Sequence, residues 1–277
     1  MEGRRRTARD YRLAVVVLLD VLVAFHSAPA QQVQPPSLDE ILLRLDSNLH
    51  HYDTQVPNFF CNEHVTSVIV YGKNHQSTVT DSVFRLERST DSGHAGTLRE
   101  SREVKAINGT PAEGKNISGP SILSGVFSGG LNTVSLGQKS CMSYVLQPIK
   151  PGHSDEPYVV QFTTLPGGQH ASNCVLKEDG AGRVVIDPAT MQVKRMELTV
   201  PRHAIVSAVT GVWHISIDYS PVQLGGETFW MPASITSRAT PEDVRDHTIW
   251  WFNARYTDYH KLEVTYRILP SNGPAQP

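Results

Sequence analysis

The sequence predicts a mainly antiparallel β protein of the α+β class, a strongly twisted sheet that curls toward an open barrel, with an N-terminal amphipathic helix and a short helical insertion. Three observations lead there. About ten runs rich in Val, Ile, Thr and aromatics are separated by Gly, Pro, Asn and Asp clusters. Only one stretch carries a strong helical stripe. The segment 182–198, GRVVIDPATMQVKRMEL, reads as a hairpin: Pro188 cannot donate to a ladder and belongs in the turn, with Asp187 suited to capping it. In its second arm Met191, Val193, Arg195 and Glu197 are expected on one face, and Gln192, Lys194, Met196 and Leu198 on the other. No fixed repeat is visible, which speaks against a propeller or solenoid.

At the N-terminus, Arg4, Arg5, Arg6, Arg9 and Arg12 precede an apolar run over 13–25, and Ala28-Pro29-Ala30 supplies small residues for cleavage before Gln31. The run is shorter than a membrane span and Asp20 interrupts it, so residues 1–30 read as a cleaved export signal and no stable span is expected afterwards. Residues 31–36 read as a flexible leader, 37–269 as one β-rich domain and 270–277 as a disordered tail. The signal carries five of the 25 Lys+Arg and three of the 27 Asp+Glu. That leaves 20 against 24, a mature net charge of about −4, and no basic stretch, which excludes nucleic acid as a natural partner.

Ser37 and Glu40 have the spacing of a capping box, and Leu38, Ile41, Leu42, Leu45 and Leu49 form one apolar stripe. A helix is therefore expected from Ser37 to about His50, packed on the sheet. Strands follow at 59–71, 76–88 and 98–107, the last ending at the turn signal Asn108-Gly109. Residues 114–137 change character, with glycines, serines and isolated apolar residues. They read as one or two short helices within a loop, and as the part of the chain that moves. Strands resume at 141–149 and 157–165, with a short one at 174–177. Longer runs lie at 211–224, 228–236 and 248–268, the last readable as one bent strand or two.

If 141–149 and 157–165 pair, the following loop can bring Cys174 back beside Cys141, so a disulfide between them is expected in an exported chain. Cys61 is then a buried apolar residue; Cys61 with Cys141 is the competing bridge.

The chemistry motifs are near-misses. Residues 109–116, GTPAEGKN, resemble a phosphate-binding loop but end in Asn116 where Ser or Thr must hold magnesium. Ser128 lies outside a nucleophile elbow because Val126 occupies its first Gly position. The twelve histidines are scattered, without metal-ligand spacing. Asn108 and Asn116 match the glycosylation pattern. No catalytic residue, metal or cofactor is assigned.

The aromatics concentrate in the last third, on strands. One reading makes them ordinary core. The other lines a concave apolar groove with Phe127 and Leu131 from the insertion and Trp213, Trp230, Trp250 and Trp251 from the sheet. Adjacent Trp250 and Trp251 must point to opposite faces.

The helix, the long strands, the insertion, the I-D-P-x-T-x-x-V-x-R-x-E hairpin (186–197) and the closing YTDYHKL strand (256–262) together resemble the LolA-like periplasmic lipoprotein-carrier class. The N-F-x-C-x-E strand (58–63) resembles a group of uncharacterised secreted proteins of soil bacteria. The resemblance implies an open half-barrel whose concave face shields acyl chains, and transfers no individual functional residue. The expected function is an exported, non-catalytic protein, periplasmic or secreted, that shields an apolar small molecule or lipid. An interaction or sensor module contacting an envelope protein is the second class, and a secreted hydrolase with an unrecognised Ser/His/Asp set the third.

Overall fold

The computed structural model describes residues 35–71, 73–90, 96–112, 127, 130–149, 155–167, 173–206, 209–242 and 249–263, and all that follows concerns these. The predicted signal and tail, Asn116, Ser128 and most of the insertion lie outside them. The chain divides into two compact units, Met1–Pro35 and Pro36–Pro277, and the described structure from Pro36 onward belongs to the second.

Helix α1 (Leu38–Gln55) starts where the capping box places it: Glu40 N donates to Ser37 Oγ at 3.3 Å and Ser37 N to the Glu40 carboxylate at 3.4 Å. It runs a turn past the expected end, because Tyr52 continues the buried stripe of Ile41, Leu45 and Leu49. Pro57 follows directly, and the residue before a proline is disfavoured in helical conformation.

Eleven strands follow: β1 (Phe59–Tyr71), β2 (Asn74–Arg88), β3 (Leu98–Ile107), β4 (Thr110–Pro111), β5 (Met142–Leu146), β6 (Tyr158–Thr164), β7 (Ala181–Ile186), β8 (Val193–Val206), β9 (Val209–Leu224), β10 (Glu227–Pro241) and β11 (Ile249–Lys261). They make one open antiparallel sheet in the order β4-β3-β2-β1-β11-β10-β9-β8-β7-β6-β5. This is the half-barrel arrangement, with β1 and β11 joining the chain's two ends at its middle. One transverse row on the inner face runs from β5 to β3: Leu146, Val160, Val184, Met196, Ile217, Ile235, Ala254, Val65, Thr80 and Ile107 are successive cross-strand partners. From Val160 to Thr80 every member is buried, so this row is the spine of the core.

The 182–198 hairpin forms, and Asp187 caps it: its Oδ1 accepts from Ala189 N at 3.1 Å and Thr190 N at 2.9 Å. The expected alternation fails at one point. A register shift between Ile186–Val193 and Val185–Arg195 inserts Lys194 as an extra residue, so Val193 and Met196 both turn inward. A second bulge, where Phe60 and Asn62 meet β11, bends that strand without breaking it. Asp258 takes a φ of 55° there and accepts from Asn62 Nδ2 at 2.8 Å. The described part of the run expected over 248–268 is therefore one bent strand, Ile249–Lys261. Gly182 admits the Phe162 ring across its missing side chain: a Cβ there would lie 2.4 Å from Phe162 Cζ and 2.1 Å from Glu197 O.

The outer face is charged. Arg195 bridges Glu197 at 2.8 Å and Asp218 at 2.9 Å, and His64 meets Asp81 at 2.7 Å, all in exposed positions.

Candidate functional site

The inner face divides into two halves. In the half under α1, Phe127 fills the hollow: its ring lies 4.5 Å from Phe84, 4.9 Å from Tyr256 and 6.0 Å from Phe59. Leu131 and Trp230 meet nearby, but the gap they share with Leu45, Tyr52 and Phe229 has a volume of only about 30 Å³. That is room for about one water, not for an acyl chain.

Behind this plug lies an ion pair that sequence reasoning missed. Arg102 Nε donates to both Glu63 carboxylate oxygens at 2.9 Å, with Glu100 at 3.5 Å, and the guanidinium sits 4.8 Å over the Phe84 ring. Glu63 is 2% exposed. Burial works against the charge on Arg102, but Glu63, Tyr256 and Glu100 together outweigh it and raise its pKa. Burial, and then Glu63, push the Tyr256 phenol well up, while burial, followed by Glu63, does the same to the Cys61 thiol. None of these groups lines the small gap beside Leu131 and Trp230 or the cavity at Trp213. The N-F-x-C-x-E strand is thereby explained residue by residue: Asn58 Oδ1 accepts from Arg88 N at 2.8 Å, Phe59 and Cys61 are core, and Glu63 holds Arg102. A charge in the inward phase of a strand was the available signal.

The other half is open. Between the 3-10 turn Gly130–Val134, residues 175–178 and strands β8 and β9 lies a cavity of about 320 Å³. Its walls include Leu176, Met196, Leu198, Val200, Trp213 and Ile215. Trp213 is fixed in place: its Nε1 donates to Ser237 Oγ at 2.6 Å and its ring stacks on His203 at 4.4 Å. Along the same transverse row come Ala239 and Trp250, so Trp213 and Trp250 share the inner face while Trp251, paired with Val68 and Arg238, faces the opposite side. Ser237 and Ser67, cross-strand partners of Phe252, are buried on the same side as Trp213; Thr80 lies in the spine and Ser82 beside Glu63, and the hydroxyls of Thr80 and Ser82 have no hydrogen-bond partner among the described residues.

The part of the insertion that is described is fastened. Asp46 Oδ1 accepts from Ser135 Oγ at 3.0 Å and Leu136 N at 2.9 Å, Lys139 pairs with Asp39 at 2.7 Å, and Tyr144 donates to Thr133 O at 2.7 Å. Burial pushes the Tyr144 phenol up to about 12. These residues form two 3-10 turns, Gly130–Val134 and Leu136–Gln138, held between α1 and the sheet. Next to them Cys141 and Cys174 are joined in a disulfide, with Cα atoms 5.7 Å apart, and Cys61 is free and buried. Residues 174–177 are irregular where a strand was expected. Val175 N donates to the Gln138 side chain at 2.8 Å, so a side chain rather than a neighbouring strand satisfies the backbone.

Among the described residues no three His, Cys, Asp or Glu side chains converge as metal ligands, and no helix is long and apolar enough to cross a membrane.

No protein-family model matches the sequence, and no curated protein matches it. Among solved structures the chain is similar to a DUF1329 family protein from Desulfovibrio piger, at 11% identity and a TM-score of 0.35, over 80% of this chain and 90% of that one. It is also similar to a LolA superfamily protein from Nitrosomonas europaea, at 10% identity and a TM-score of 0.33, over 83% and 94% of the two chains.

Proposed function

We propose that the chain is an exported, non-catalytic binding protein that shelters one apolar ligand, a lipid or an acyl chain, in the open half of its trough. The observation that carries this reading is the cavity of about 320 Å³ at Trp213, left on an inner face whose other half is filled by α1 and Phe127. Ligand sites are concave, mostly apolar and of this order of size. Each buried CH₂ contributes ~0.8 kcal/mol, so affinity grows with chain length and needs no reactive group. In this reading Met196, Leu198, Val200, Trp213 and Ile215 hold the ligand, with Trp250 extending the wall. Phe127, Leu131 and Trp230 form the stop that closes the trough at the α1 end. The disulfide supports an oxidising, extracytoplasmic destination, and the basic-then-apolar leader supports removal of residues 1–30.

The test is titration with the fluorescent apolar probe 1-N-phenylnaphthylamine, together with mass spectrometry of lipids extracted from the purified mature protein. Val200→Phe should fill the cavity and abolish probe binding while the fold is retained. A wild-type protein that carries no lipid and leaves the probe dark would end the proposal. If such a lipid-free protein instead captures an envelope protein, the better reading is strand addition at β5, an edge strand whose Val145 is 56% exposed.

A further inference from the structure

We propose that residues 175–179 form a strap over the Trp213 cavity, and that the Glu178–His203 pair is the latch that sets how fast a ligand enters and leaves. The inference rests on reading that cavity as a ligand site. The strap has no ladder of its own and is tied at both ends. At one end stand the Cys141–Cys174 disulfide and Gln138, whose side chain donates to Asn173 O at 3.0 Å and accepts from Val175 N at 2.8 Å. At the other end Gly180 N donates to Thr164 Oγ1 at 2.9 Å, and Gly180 O accepts from Thr164 N at 2.9 Å.

Between the ties, Val175 and Leu176 contribute to the cavity wall, and Val175 is 38% exposed at its rim. Two fixed ends leave one way to open: the middle must bow outward, which requires Glu178 to part from His203. That contact is 2.7 Å between Glu178 Oε2 and His203 Nδ1, with both side chains partly buried. The His203 ring in turn stacks on Trp213, whose indole N–H is held by Ser237. The latch is therefore braced against the same side chain that lines the cavity, and strap position and cavity shape are mechanically linked.

The experiment compares wild type, His203→Ala and Glu178→Ala by amide hydrogen exchange and by stopped-flow release of 1-N-phenylnaphthylamine, with exchange in β1 as the internal control for folding. A partly buried hydrogen bond to a charged group controls an opening equilibrium by about tenfold. Exchange at 176–179 should rise by about that factor in both variants and probe release should quicken in parallel, while β1 is unchanged. Unchanged exchange at 176–179 in both variants would overturn the latch. A wild-type protein that takes up no probe defeats the ligand site instead, and exchange at 176–179 then decides the latch alone.

Discussion

The two halves of the inner face are built from the same strands, yet they are stabilised differently. Under α1, large rings and an enclosed ion pair occupy the space, and almost every side chain has a steric or electrostatic neighbour. Around Trp213 the same face has Ser237 as the indole's partner among its apolar residues and keeps a cavity. The difference separates stability from binding: the filled half should set how firmly the protein folds, and the open half what it holds.

The largest expected effect is in the filled half. Glu63→Ala leaves the Arg102 guanidinium over Phe84 with only the longer Glu100 contact and should destabilise by about 3 kcal/mol, the lower end of the loss from removing one partner of an enclosed pair. Urea denaturation measures it. Replacing Glu63 and Arg102 together by apolar residues should recover much of the loss, and a double variant as weak as the single one would contradict the pairing argument. Phe127→Ala comes next at about 3 kcal/mol, from the void it leaves among Phe59, Phe84 and Tyr256. Thermal unfolding would show it.

Ser237→Ala lies in the open half. It removes the acceptor of the Trp213 indole N–H and should cost only ~1 kcal/mol in stability. Its signature should be weaker probe binding, because Trp213 loses its anchor. A large drop in stability with unchanged binding would reverse the division between the halves.

The smallest effect is with pH, and it belongs to neither half. Hydrogen bonds from the Thr190 backbone lower the Asp187 pKa, and the Arg183 hydrogen bond lowers that of Glu197. Both carboxyls thus hold protons less readily in the folded chain than in the unfolded one. Their stabilisation is fully present above the ordinary carboxylate values of about 4 and disappears as pH falls through the lowered folded-state values. Urea midpoints at pH 7 and pH 3 should therefore differ less in Asp187→Asn than in wild type.

Local signals made much of the fold legible. The capping box located the start of α1, β-branched and aromatic runs bounded β1 and β3, and the spacing around two hairpin strands brought Cys141 to Cys174. What escaped depends on partners distant in the chain. Lys194 becomes the extra residue of a bulge only when β7 fixes the register of β8. Residues 174–177 fail to become a strand because Gln138 reaches them first. Glu63 and Arg102 stand in the inward phase of their strands, but their meeting depends on β1, β2 and β3 lying side by side. The site was legible as a class of residue and less so as a place. Strand geometry alone separates Trp250 from Trp251, but only the sheet register shows that Trp250 is the one on Trp213's side.

Because the sheet never closes, it has two borders, and they are unequal. On one, β4 is two residues long, ends in Pro111, which has no N–H to offer, and pairs with only Ala106 and Ile107 of β3. On the other, β5 offers a five-residue rim with no proline in it. Two copies that met through β5 would each use up that rim in the other, so self-association by this border stops at pairs.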